Sequence, residues 1–174
     1  MSKYHVREHV VVAYGSDNVP VRRVLKMRGF KIIDSVRLFG IRSASVVKFS
    51  TFKTSSGVLL LDDDDCVEFN SLNMPENSLI NISFVCALSG KLVCRSRVVV
   101  TRRKKPIILC DFGSQCDSVY LHNQNNVKKI HVDGEMHVSL DRVVAITPDL
   151  TVSSKMKDDG FVKVSGRGDL LISL

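Results

Sequence analysis

Tryptophan is absent from this 174-residue chain, and aromatic residues make up only 6% of it. A reader of single-stranded bases stacks them on aromatic platforms interleaved with basic groups. Phe30, Phe39 and Phe49, which lie among the basic residues, read as core side chains instead. No stretch of about 18 uninterrupted apolar residues occurs, the length a membrane-crossing helix demands. The longest apolar runs, Val10-Val11-Val12-Ala13 and Val58-Leu59-Leu60-Leu61, are strand-sized. No apolar core followed by a small-residue cleavage site marks a secretory signal. The Asn81-Ile82-Ser83 sequon is therefore read as chance.

Cysteine is odd in number, at five. Cys110 and Cys116 are not at the two-to-four-residue gap of common zinc sites. Cys86 and Cys94 lie among apolar residues, where a thiol packs as a small hydrophobe. The set reads as reduced thiols of an intracellular compartment. Neither Gly-x-Ser-x-Gly nor His-Glu-x-x-His is present. Cys110, beside Asp111, has no activating positive neighbour. A non-enzymatic protein is expected, without cofactor or metal.

Charge is what the chain does have. Lys and Arg number 25 against 18 Asp and Glu, for a net +7. Residues 1–53 hold eleven basic and three acidic residues, a balance of +8, so the remainder is near neutral at −1. A block of this kind suits an anionic partner. Residues 1–20 include Glu8 and Asp17, which argues against a cleaved mitochondrial presequence. Two clusters stand out: Arg22, Arg23, Lys26, Arg28 and Lys31, then Arg102, Arg103, Lys104 and Lys105, with Arg95 and Arg97 upstream. Consecutive cations neutralise phosphates by counterion release without reading sequence.

From residue 44 onward period-2 alternation and β-branched runs predict strands throughout. Turns are expected at Ser56-Gly57, Asp62 to Asp65, Ser89-Gly90, Asp133-Gly134, Thr147-Pro148-Asp149, Asp158 to Gly160 and Gly166-Arg167-Gly168. Residues 1–43 are expected as a basic N-terminal extension, partly strand or a short helix over 19–30. An internal repeat runs through the rest. Phe84 to Cys94 aligns 58 residues later with Arg142 to Val152, each with an apolar strand around Ala87 or Ala145. At an offset of 61, Gly57 to Leu61 aligns with Ser118 to Leu121, and a shorter copy closes the chain at Val162 to Ile172. About two and a half copies fill residues 44–174. The expected fold class is all-β, a sandwich or barrel-like body of repeated units.

The segments Val127 to Glu135, Val143-Val144-Ala145 and Ser165 to Ile172, with Ser83 to Ala87 upstream, resemble the mitochondrial biogenesis family named for altered inheritance of mitochondria (member twenty-four) and its bacterial relatives. The resemblance spans about residues 55–174 and is most specific at the C-terminal end. It implies a double-stranded β-helix, the fold of the tryptophan-sensing RNA-binding attenuation protein, with several units packed around a pseudo-symmetry axis. It also implies a mitochondrial, non-enzymatic role in inner-membrane organisation. Members of that family are usually longer, and the basic first third has no counterpart in the pattern.

Three further groups have ordinary explanations. Asp111-Phe112-Gly113 echoes a kinase tripeptide without the other kinase motifs. Asp62 to Asp65 lacks the alternating ligands of a calcium loop and reads as a solvated turn. His131 and His137 flank the expected Asp133-Gly134 hairpin without a third ligand. The functional expectation is a structural or assembly component of a mitochondrial complex, in the matrix or on the matrix face of the inner membrane. Its most concrete form is a subunit of a mitochondrial ribosome or other ribonucleoprotein that contacts rRNA or another RNA and neighbouring proteins. The alternative is an inner-membrane-associated scaffold touching anionic lipid, without a transmembrane segment.

Overall fold

Strand periodicity is expressed from the second residue on. The computed structural model describes residues 2–14, 24–38, 48–62, 64, 66–90, 97–100, 107–113, 116–122, 127–153 and 160–174. Among these the chain is all-β: sixteen strands, every pairing antiparallel, with helical structure confined to single 3-10 turns.

The strands fall into three sets that share one pairing scheme. The first set is β1 (Ser2–Val6), β2 (His9–Tyr14), β3 (Val24–Arg28), β4 (Lys31–Leu38), β5 (Lys48–Lys53) and β6 (Gly57–Leu61). In it β1 and β3 flank β6, while β2 and β4 flank β5. This is a long hairpin rolled upon itself, the winding of a jelly roll. The second set is β7 (Cys66–Glu68), β8 (Leu79–Asn81), β9 (Val85–Gly90), β10 (Arg97–Val100), β11 (Ile107–Cys110) and β12 (Cys116–His122). There β7 and β9 flank β12, while β8 and β10 flank β11. The third set is β13 (Val127–Ser139), β14 (Val143–Ile146), β15 (Leu150–Val152) and β16 (Phe161–Ser173). Its long strands β13 and β16 each do the work of two, and β14 and β15 both pair with β16. The sets are joined by like strands: β2 pairs with β9, and β8 with β14.

Registers repeat as well as pairings. A one-residue bulge falls at residue 25 between Val24–Leu61 and Lys26–Leu60, at residue 86 between Val85–Leu121 and Ala87–Tyr120, and at residue 144 between Val143–Ile172 and Ala145–Leu171. Lys26, Ala87 and Ala145 thus hold equivalent places. A bulge sends two successive side chains to one face, and the cores follow that rule. Cys86 and Ala87 pack with Val10, Val12, Phe52, Leu59 and Leu61 in a first core, while Val85 and Leu88 enter a second. Val144 and Ala145 share the second core, and Val143 and Ile146 enter a third. Because β2, β9 and β14 face a core on each side, their sequences are continuously apolar rather than alternating. The cores lie in series, from the three-stranded sheet β1-β6-β3 at one end to the β13-β16 ribbon at the other.

Several expected turns are strand instead. Residues 127–139 and 161–173 run straight through Asp133-Gly134 and Gly166-Arg167-Gly168. Gly134 (φ 109°) and Gly166 (φ 123°) are cross-strand partners, so the paired glycines deform the ribbon without reversing it. His131 and His137 therefore lie six residues apart along one strand and do not approach each other across a hairpin. Ser89-Gly90 closes β9, and the following residues 91–96 lie outside those described. The strands expected over 79–88 and 136–146 are each broken by a 3-10 turn, at Ile82–Phe84 and Leu140–Arg142. These turns are 58 residues apart. Residues 2–14 and 24–38, expected as a basic extension of strand or short helix, contribute β1 to β4 and pair with β5, β6 and β9.

Candidate anionic-partner interface

The outer face of the β1-β6-β3 sheet is built by alternation. Tyr4 and Met27 turn inward and pack against the first core, with Leu59 buried between them. Their neighbours turn outward in two rows: Lys3, Leu60 and Lys26, then His5, Val58 and Arg28. Lys3, His5, Lys26 and Arg28 are exposed, whereas Leu60 and Val58 between them are half-buried. None of the three strands contains an acidic residue. The result is an apolar strip edged on both sides by cations, with no carboxylate of its own strands to neutralise them.

The equivalence of the windings sets this face apart among the described residues. Ala87 and Ala145 are fully buried where the preceding winding covers them, and their row partners Tyr120 and Leu171 are each 2% exposed. In the first winding the same place is held by Lys26, and β3 pairs only with β6 among the described residues. Lys26 is exposed at the position where the other two windings bury an alanine.

Of the residues singled out in the sequence, Lys26 and Arg28 come together on this face. Lys31 is exposed on β4 in a different sheet, directly opposite exposed Lys53 of β5. Opposed like charges destabilise a sheet, so this pair too favours a counter-charge. Arg22, Arg23, Arg102, Arg103, Lys104 and Lys105 lie outside the described residues. Sequence reasoning missed Lys3, His5 and Lys53. The alternation of Ser2 to Val6 was the signal for the first two.

A concavity of about 440 Å³ opens between the 3-10 turn Phe69–Leu72 and the β11–β12 connection. Phe69, Ile80, Phe112 and Val119 form its floor, and Glu76, Asp111 and Asp117 stand around it. Asp111 accepts the Gly113 N–H at 2.8 Å, so the kinase-like tripeptide is a turn with Phe112 buried beneath it. Cys116 lines the same hollow. Burial, reinforced by the charge of Asp117, pushes its thiol up to about 12, and it donates to the Ser89 and Ser118 carbonyls. A neighbouring hollow shares Asp117 and Ser118 and reaches Tyr4, Arg7 and Tyr120. Burial also raises the Tyr120 phenol. The Ser118 hydroxyl donates to Glu68 Oε1 at 3.0 Å on this second hollow.

His131 Nδ1 lies 2.9 Å from Asp169 Oδ1 across the β13-β16 ribbon. Among the described residues no three His, Cys, Asp or Glu side chains are grouped to hold a metal. Nor is any helix there long and apolar enough to cross a membrane.

No family model matches the chain, and no curated protein matches it. Among solved structures, an X-ray crystal structure of a Streptococcus pyogenes protein is similar, with a TM-score of 0.65 over 99% of this chain and 87% of that one. The two are 14% identical, so the likeness carries the fold alone.

Proposed function

We propose that this chain is a non-enzymatic structural or assembly component that presents a basic end face to a polyanion, and that the polyanion is RNA within a mitochondrial ribosome or another ribonucleoprotein. One observation carries the reading: Lys26 stands where Ala87 and Ala145 are buried in the other two windings, on a sheet face that it shares with Lys3 and Arg28 and to which β1, β3 and β6 contribute no carboxylate. Such a face gains affinity by counterion release and requires no base contacts. The Arg102 to Lys105 run would add a second contact. The mitochondrial placement rests on the family resemblance in sequence alone.

A second reading, an inner-membrane-associated scaffold, draws on the apolar centre of the same face and on Ile32, 65% exposed beside Lys31. Basic residues around apolar ones suit an anionic lipid surface. Affinity purification of the tagged chain from its own organelle, with RNA quantified before and after nuclease, separates the two. Salt-sensitive recovery of rRNA, reduced by Gln at residues 102–105 and at Lys3, Lys26 and Arg28, supports the first. Flotation with cardiolipin vesicles and no recovered RNA supports the second.

A further inference from the structure

We propose that Cys66 and Cys86 form a reversible thiol–disulfide site, a cross-link from β7 to β9 over the intervening strand β12. Their sulfurs are 3.3 Å apart. Cys86 is the bulged residue of β9 and is fully buried, while Cys66, at the start of the three-residue edge strand β7, is partly exposed. One thiol therefore meets solvent and the other waits behind it, the arrangement of an attacking and a resolving cysteine.

The repeat shows that packing does not demand sulfur here. By register, Cys66 opposite His122 corresponds to Val127 opposite Ser173, and bulged Cys86 corresponds to bulged Val144. Val127 and Val144 belong to the same apolar cluster in the third winding. Where one winding closes this corner with two valines, the other places two thiols in contact.

The co-reactant is a small-molecule disulfide such as oxidised glutathione. The Cys66 thiolate attacks one of its sulfurs, breaking that S–S bond and releasing one glutathione thiolate. Cys86 then loses its proton and attacks Cys66 Sγ, releasing the second glutathione. The chain gives up two protons and two electrons, and both appear in two reduced glutathiones. Closing from contact to a bond of about 2.05 Å requires β7 and β9 to draw together around β12, and the short edge strand β7 is the element that moves.

The test equilibrates the full native chain with graded ratios of oxidised to reduced glutathione, then blocks remaining thiols in denaturant and maps the peptides by mass. The expected result is a Cys66–Cys86 linked peptide, with Cys94, Cys110 and Cys116 still alkylated, reversed by excess reduced glutathione. The Cys66→Val/Cys86→Val variant, which copies the third winding, should fold with an unchanged circular dichroism spectrum and yield no linked peptide. Oxidation stopping at glutathionylated Cys66, or both thiols remaining alkylatable when a dithiol control peptide is fully oxidised, would overturn the proposal. The wild-type map decides the matter even if the double variant fails to fold.

Discussion

The side-chain amide of Asn81 donates to the carbonyl of Val143 at 2.9 Å, tying the second winding to the third. Its oxygen meanwhile accepts from the backbone N–H and the hydroxyl of Ser83, capping the 3-10 turn. The asparagine of the apparent glycosylation sequon is 1% exposed and wholly structural. Replacing Asn81 with Ala removes the cap and strips a buried carbonyl of this donor, which should cost about 2–3 kcal/mol. Urea denaturation of the variant measures it.

Gly134 and Gly166 share a left-handed φ but differ in surroundings. A Cβ at Gly134 meets nothing within 4 Å, whereas one at Gly166 would sit 2.6 Å from the backbone oxygen of Asp149. Gly134→Ala should therefore lose about 1–2 kcal/mol of stability through backbone strain alone. Gly166→Ala should lose clearly more, because a backbone atom must give way. Thermal melts of the two variants side by side give the order.

Lys31 and Lys53 are direct cross-strand neighbours. Exchanging Lys53 for Glu converts repulsion into attraction and should raise stability by about 0.5–1 kcal/mol. Added salt should shrink the difference, since both side chains are exposed. Denaturation midpoints at low and high ionic strength check both statements.

Cys116 is held neutral by its surroundings, with its ionisation pushed up to about 12. A folded-state value above the unfolded one means that the unfolded chain releases this proton first as pH rises. The contribution is complete below about pH 8.5, the unperturbed thiol value, and is lost as pH climbs toward 12. Tyr120 is raised in the same sense. Urea midpoints should fall through this alkaline window, and the Cys116→Ala variant should fall less steeply.

The sequence made the strands legible, because period-2 alternation is a direct consequence of the pleat, and the aligned Ala87 and Ala145 do hold equivalent places beside a bulge. The alignment of Gly57 to Leu61 with Ser118 to Leu121 was one residue out, since Leu60 opposite Lys26 corresponds to Tyr120 opposite Ala87. It concealed the first winding. There the aligned residue is Lys26, so the cation that marks the end face also erases the likeness on which an alignment depends. Glycine misled for a different reason. Gly134 and Gly166 look like turn residues singly, and only their cross-strand pairing shows them inside a ribbon. The Cys66–Cys86 contact joins strands on opposite sides of β12 and leaves no local mark. Of the candidate face, Lys26 and Arg28 were readable from charge, whereas Lys3 and His5 required knowing that β1 borders β6.

Lys3, Lys26 and Arg28 are expected to act together on an anionic partner. Equilibrium binding of a labelled RNA to the full chain over a series of salt concentrations tests it most directly. For the wild type, log K should fall linearly with log salt, and changing all three residues to Gln should reduce the slope by about 2 for a single strand. Stability should stay within about 0.5 kcal/mol, as for exposed surface substitutions. An identical slope in wild type and variant, or RNA binding that ignores salt, would contradict the account.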